Sequence, residues 1–487
     1  MVTPRTGRSP ARELTILTVA AALAAAALGG CAMFRKYDMV QIHQESAARP
    51  ERNPVIFIHG FVGSKLRNCH THESVWGRFM NAVKRGKTDD LSLPIDSLTI
   101  TANRDDLVPY ALYESVAGVR FYGAILDALQ QVGGYRLGDI DNPKPEDTLY
   151  AYIYDWRRDN AEAAIGLGRA IQQIKGRLKL PDLRFDIVAH SMGGMVAEYY
   201  LKYGNEDVLS DGREHPVTYA GAPNLGRLVL VGTPQRGTMH SFRILNTGFA
   251  RTMSPEVVFT MPSLYQLLPT EGRGHFVDPL GNPIEADLYS AETWVRNGWS
   301  VFGRRTGSAR LRESLAVNGA RPAGAPESEQ TAQMSRFLQA ALDRARALHD
   351  ALARDTEEGS PVPIHVFGSD CIPTLDRAVL KPTPAGLVTL FDDETTRDRD
   401  ARFLEKVMRS PGDGTVTAES LLGIDGRAPA EEDATKAARP FASTFFFCET
   451  HGFLSANKGF QDNLFYVLFH SAAQPNSLAA GRAVGRK

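Results

Sequence analysis

The sequence predicts an α/β fold: a mostly parallel sheet, flanked by helices and interrupted by an inserted cap. Three observations carry this. Six short, nearly continuous apolar runs recur along the 487-residue chain. Segments with helical patterning separate them. One stretch of about a hundred residues, 234–330, breaks the alternation and is too long for bare loop. Apolar strands alternating with helices are what a sheet covered on both faces requires.

The strand runs are Pro54–Ile58, Thr148–Tyr154, Phe185–Ala189, Leu228–Val231, Val362–Phe367 and Thr444–Phe447. Helices are expected over Gly123–Val132, Ala161–Leu178, Gly193–Tyr203 and Gln333–Ala353. In the last, Phe337, Leu338, Ala341, Leu342, Ala345, Leu348 and Leu352 recur at three and four residues, an apolar stripe. Two stretches do not alternate. Residues 63–104 read as a lid-like excursion. Residues 234–330, with Phe242, Phe249, Phe259, Tyr265, Trp294 and Trp299, read as the cap. Those aromatics either pack the cap's own core or face an acyl chain or membrane. The expected division is therefore a core over 53–233, the cap over 234–330, the core again over 331–470 and a disordered tail over 471–487.

Composition excludes other classes. With 43% hydrophobic and 23% charged residues, the chain is neither disordered, collagen-like nor a polytopic membrane protein. Lys+Arg of 55 against Asp+Glu of 56 leaves a net charge of −1, so no global field draws nucleic acid. Four cysteines are too few for a disulfide scaffold. Oligomeric state has no signal.

The N-terminus points to the cell envelope. Arg5, Arg8 and Arg12 precede an apolar run, Leu14–Leu28, which ends in Leu28-Gly29-Gly30-Cys31. This is the pattern of a signal peptide over residues 1–30. Its ending resembles a bacterial lipobox, in which the cysteine thiol is acylated and becomes the new N-terminus. Cys31 would then anchor the protein to a membrane, and Ala32 after it suggests the outer membrane. Residues 31–52 read as a tether. A signal-anchor helix with an incidental cysteine is the alternative. In an exported chain two of Cys69, Cys371 and Cys448 could pair. Cys371 and Cys448 are the preferred pair; three unpaired thiols are the alternative.

The chemistry starts at His190-Ser191-Met192-Gly193-Gly194, directly after a strand. A small residue (Ala189) and Gly193 allow a sharp strand-to-helix elbow that exposes the Ser191 hydroxyl. A serine needs a base. His190 adjoins it but points elsewhere on an elbow, and His59 lies in the first strand's exit loop. His451 follows the last strand, where the order Ser…Asp…His of an α/β-hydrolase fold places the base. For the carboxylate that orients it, Asp413 in the turn Pro411–Val416 is preferred, with Asp370, Asp392 and Asp393 as rivals. Backbone N–H groups of Phe61 and Met192 are expected as oxyanion donors. No cofactor and no metal are expected. The acidic run at Asp392, Asp393 and Glu394 suggests calcium only weakly, because Arg397 and Arg399 interrupt it.

The blocks Pro54–Leu66, Tyr154-Asp155-Trp156-Arg157, Ala189–Gly194 and Gly412–Val416, followed by His451, resemble the lecithin:cholesterol acyltransferase-like branch of α/β-hydrolases. Gly232–Thr238 and Val366–Thr374 resemble further turns of that branch. The resemblance implies a triad of Ser191, Asp413 and His451, oxyanion donors Phe61 and Met192, and acyl-ester chemistry on lipids, as carboxylic ester hydrolase or O-acyltransferase. An exported esterase on non-lipid esters, or a peptidase, would use the same residues. Three departures stand out. His59 replaces a proline common in the eukaryotic acyltransferases. Cys69 has no nearby partner for their lid disulfide. The cap matches weakly.

Overall fold

The structure, a computed structural model, describes residues 52–77, 88–116, 119–120, 122–250, 252–271, 274–303, 327–384, 386–392, 401–424 and 441–470. The expected signal peptide, Cys31, most of the expected tether and the expected C-terminal tail lie outside the described residues.

Six strands form one sheet: β1 (Val55–Ile58), β2 (Leu149–Tyr152), β3 (Phe185–His190), β4 (Leu225–Val231), β5 (Ile364–Gly368) and β6 (Ser443–Phe446). Their spatial order is β6-β5-β4-β3-β1-β2, and every pairing is parallel. All six expected apolar runs are in it. Strand side chains alternate between faces, and both faces are buried. Ile56, Ile58, Ile187 and Leu230 join one core; Val55, Phe57, Val188 and Val229 join the other. This two-sided burial is why the strands read as unbroken apolar runs.

Helices cover both faces. On the second core lie α1 (Gly123–Asp127), which continues into one wider turn over Ala128–Val132, and the C-terminal helix. On the first lie α2 (Asn160–Leu178) and α3 (Met192–Tyr203). The Asp159 carboxylate caps α2 by accepting the Glu162 N–H at 3.0 Å. Next come α4 (Met239–Thr247) and α5 (Glu327–Ala353), and α6 (Lys458–His470) is the C-terminal helix.

The cap is assembled from more of the chain than residues 234–330. Strands Phe276–Val277 and Pro283–Ile284 share a four-stranded sheet with Ala378–Thr383 and Gly386–Leu390. Chain on both sides of the expected boundary at residue 331 thus contributes to one sheet. Helix α5 packs against both the cap helix Ala291–Asn297 and α3, and the excursion after β5 rejoins the cap. A pairing between residues about a hundred apart in sequence leaves no local pattern to read.

The expected excursion after β1 is a three-stranded antiparallel sheet of Ser64–Asn68, Ser74–Trp76 and Leu107–Leu112. The Tyr-Asp-Trp-Arg block ties it down. The Arg157 guanidinium, fully buried, pairs with Asp105 and Asp155 at 2.7 Å each and donates to the Leu91 carbonyl at 3.0 Å. The Trp156 indole N–H donates to the Ser64 carbonyl at 3.0 Å. From the cap, the Ser263 hydroxyl donates to the Trp156 carbonyl at 2.7 Å. This block clamps three parts of the fold to the exit of β2.

Candidate active site

Ser191 sits between β3 and α3 with φ 57° and ψ −129°. A β-carbon costs energy in this region, so the conformation is held by its surroundings. Its N–H donates to the Val231 carbonyl at 2.7 Å, and the Gly194 N–H donates back to its carbonyl at 2.9 Å. A β-carbon on Gly193 would stand 2.4 Å from the His59 carbonyl oxygen, and one on Gly60 would stand 2.7 Å from the Ser191 β-carbon. The first strand's exit turn and the elbow touch there with no room for a side chain.

The structure brings Ser191, His451 and Asp413 into one line. Ser191 Oγ lies 2.8 Å from His451 Nε2, and His451 Nδ1 lies 2.7 Å from Asp413 Oδ2. A carboxylate only accepts, so Nδ1 carries the proton and Nε2 is free to accept from the serine. Asp413 Oδ1 accepts the N–H groups of Thr415 (2.9 Å) and Val416 (2.7 Å), which keeps this buried side chain fixed. The His451 N–H donates to the Asp413 carbonyl at 2.8 Å. Gly232, with φ 58°, passes beside this pair: a β-carbon there would stand 3.1 Å from His451 Nδ1 and 3.2 Å from Asp413 Oδ2.

Cys371 and Cys448 are joined by a disulfide, their Cα atoms 5.5 Å apart. Cys371 precedes strand Ile372–Leu375, which pairs antiparallel with Arg409–Gly412 and so leads into Asp413. Cys448 stands just before His451. The bridge thus links the hairpin of the carboxylate to the loop of the imidazole. Cys69 is a free thiol at the surface.

Phe61 and Met192 occupy the two expected turns. Among the described residues neither N–H has a hydrogen-bond acceptor within the protein. The Phe61 ring meets Trp156 and Phe249 edge-on, at centroid distances of 5.0 and 5.6 Å. Phe249 follows α4, whose first turn lies against the Asp413 loop through Thr238, which donates to the Thr415 carbonyl. The two ends of α4 thus reach the Asp413 loop and the Phe61 ring.

The rejected histidines are structural neighbours of the line. The His59 ring stacks on Tyr154 at 4.3 Å, and burial pushes it down to about 4. His190 lies 4.9 Å ring to ring from His451; burial, then the neighbouring His451, pushes it down to about 3. Both are neutral at ordinary pH. Tyr122, which no sequence signal singled out, bridges them: its hydroxyl meets the Gly60 N–H at 3.0 Å and His190 Nδ1 at 2.9 Å.

The rival carboxylates are elsewhere engaged or exposed. Asp392 holds Arg243 (3.2 Å) and Arg409 (2.9 Å). Asp370 is exposed, and Asp393 with the rest of the acidic run to residue 400 lies outside the described residues. One group among the described residues has metal-ligand chemistry, the surface trio of Cys69 and His70, just after strand Ser64–Asn68, and Asp106, just before strand Leu107–Leu112. The cap aromatics Phe242, Phe259, Tyr265, Trp294 and Trp299 are buried and pack on one another, so the reading that they face an acyl chain or membrane is corrected; only Phe249 reaches the site.

Residues 113–296 match the lecithin:cholesterol acyltransferase family. The chain has an α/β-hydrolase fold, and over this stretch it is similar to the lecithin:cholesterol acyltransferase family. The matched stretch holds the Tyr-Asp-Trp-Arg block and Ser191, and runs on to residue 296, beyond the turn Gly232–Thr238. An uncharacterised Saccharomyces cerevisiae protein, YJR098C, is 25% identical over 264 residues, 54% of this chain and 36% of the yeast protein. The chain thus spans about a third of that relative's length. In fold it is similar to a chain of the Tle4–Tli4 complex, with a TM-score of 0.52 and 13% identity over 86% of this chain and 98% of the other.

Proposed function

We propose that this hydrolase cleaves or transfers acyl groups of lipid esters through a covalent acyl-enzyme on Ser191. The observation that carries the reading is the unbroken line Asp413–His451–Ser191, at 2.7 and 2.8 Å, ending on a serine held at positive φ. Ser191 Oγ attacks the ester carbonyl carbon as its proton passes to His451 Nε2. Asp413 holds the resulting imidazolium at Nδ1. The negative charge on the carbonyl oxygen falls to the N–H groups of Phe61 and Met192, each donor being worth roughly 3–4 kcal/mol to the transition state. Collapse expels the alcohol, which takes the proton from His451. Water or a second alcohol, deprotonated by the same imidazole, then releases the acyl group. The family match supports lipid esters as the substrate class, and the half-buried rings of Phe61 and Phe249 give the site an apolar flank.

We propose that the protein sits at the bacterial cell envelope, lipid-anchored through Cys31 in the outer membrane. The leader sequence supports this, and so does the Cys371–Cys448 disulfide, which suits an oxidising compartment. No helix among the described residues is long and apolar enough to cross a membrane.

The test compares wild type with Ser191→Ala for fluorophosphonate labelling and phospholipid turnover, with and without a long-chain alcohol. Labelling should vanish and turnover fall by roughly 10⁴–10⁶-fold. Unchanged turnover in the variant would sink the assignment. Ester product formed with the alcohol identifies a transferase; free fatty acid alone identifies a hydrolase. For the anchor, Cys31→Ala should lose metabolic palmitate, and retained label rejects it.

A further inference from the structure

We propose that His59, Tyr122 and His190 are positioning residues that hold the oxyanion turn in its working orientation and lock it to the loop carrying His451. The inference rests on the proposed roles of Ser191, His451 and Phe61.

The peptide unit that matters is the one joining Gly60 to Phe61. Its N–H is the oxyanion donor, and its carbonyl points the opposite way because the unit is planar and trans. His59 Nδ1 lies 2.8 Å from that carbonyl, and the Gly63 N–H also donates to it, at 3.1 Å. Fixing the carbonyl on one side aims the Phe61 N–H to the other. The preceding peptide is fixed as well, since the Gly60 N–H donates to the Tyr122 hydroxyl at 3.0 Å. Gly60 is the residue with the greatest backbone freedom in this turn, and both its polar groups are pinned.

The proton pattern is determined. A carbonyl only accepts, so His59 carries its proton on Nδ1, and its Nε2 accepts the Tyr154 N–H at 3.3 Å. Tyr154 closes the loop by donating its hydroxyl to the His59 carbonyl at 2.9 Å. His190 takes the opposite tautomer. Its Nε2 faces the His451 carbonyl at 3.1 Å and must carry the proton, so Nδ1 accepts the Tyr122 hydroxyl at 2.9 Å. The chain therefore runs in one direction: Gly60 N–H to Tyr122, Tyr122 O–H to His190, His190 N–H to the His451 backbone. It passes around Ser191, which follows His190 directly. His59, Tyr122 and His190 are all buried, so water does not compete for these bonds. Donors fixed before charge develops cost no reorganisation when it does, and that is the property this chain supplies.

The experiment uses the full-length protein with a soluble p-nitrophenyl ester. Tyr122→Phe removes one oxygen and keeps the ring that packs edge-on against Phe57 at 5.2 Å. We expect kcat to fall about 10–100-fold with KM within about threefold, because only transition-state stabilisation is lost. Affinity for a boronic-acid transition-state analogue should fall in proportion to kcat. A second pair separates aim from mere folding. His59→Asn retains an N–H at the position of Nδ1, whereas His59→Ala does not, so Asn should keep at least about tenfold more kcat than Ala. Equal activity of Tyr122→Phe and wild type overturns the proposal. So does a kcat loss that tracks a fall in melting temperature, or equal losses in the two His59 variants. If Ser191→Ala retains turnover, it is the catalytic reading that fails; if Ser191→Ala is dead and Tyr122→Phe is normal, only the positioning role fails.

Discussion

The carboxyl edge of the central sheet and the cap above it are built from different materials. At the sheet edge His59, His190, His451, Asp413 and Tyr122 gather around the Ser191 elbow, held by directed hydrogen bonds to one another and to backbone. In the cap, Phe242 alone meets Phe276, Trp294, Trp299 and Phe391 at centroid distances of 4.9 to 5.9 Å. One region spends its residues on aim, the other on cohesion. The cost of a lost group should differ accordingly: a lost polar atom at the edge removes rate and leaves stability, and a lost ring in the cap removes stability and leaves the chemistry of surviving molecules.

The sharpest way to break this contrast is Asp413→Asn. The shape is kept, but the amide no longer enforces the Nδ1-protonated tautomer of His451. We expect kcat to fall by roughly 10⁴-fold with a melting temperature close to wild type. A large loss of stability with modest loss of rate would move Asp413 from chemistry to structure.

The mirror experiment is Trp299→Ala. Its ring is buried and its indole N–H donates to the Thr389 hydroxyl at 2.8 Å, across to the strand Gly386–Leu390. Truncation should cost roughly 3–5 kcal/mol of unfolding free energy. Per folded molecule, as counted by fluorophosphonate titration, turnover should stay within about threefold. A hundredfold loss of turnover in folded protein would show that the cap's core sets the site.

The smallest expected effect is on pH dependence. Burial holds His59, His349 and His365 down to about 4, and His190 and His240 down to about 3. Unfolded histidines titrate near 6.5. Between these values the unfolded chain binds protons that the folded one refuses, so stability is full above about pH 6.5 and falls as pH drops. Asp186 works the other way: burial, against the pull of Arg227, lifts it to about 6, and its folded form gains a proton first. The histidines outnumber it, so denaturant midpoints should fall from pH 7 to pH 5, with more than one proton taken up on unfolding. A flat profile would contradict the buried neutral rings.

These differences also explain what was legible. The six strands could be read because two-sided burial leaves unbroken apolar runs, as in Phe185–Ala189. Ser191 could be read because an elbow needs small residues within a few positions of it. Flanking glycines favour Asp413 over Asp392 in the sequence; in the structure Thr415 and Val416 hold its carboxylate, whereas Asp392 pairs with two arginines. Tyr122 left no trace in its neighbourhood, because its partners are 62 and 68 residues away. The strand pairing across residue 331 was illegible for the same reason: Phe276–Val277 pairs with Ala378–Val379, and nothing local to either strand says so.

By itself, then, the sequence determined the sheet, the elbow and the chemical identity of the groups at the chain's turns, because periodicity and turn sterics act over a few residues. Tertiary structure alone decided which tautomers His59 and His190 adopt, how Tyr122 joins them to the oxyanion turn, and which strands after β5 pair with Phe276–Val277. Those outcomes depend on burial and on hydrogen bonds between distant segments, and a buried polar atom takes its partner from whatever the fold brings within about 3 Å.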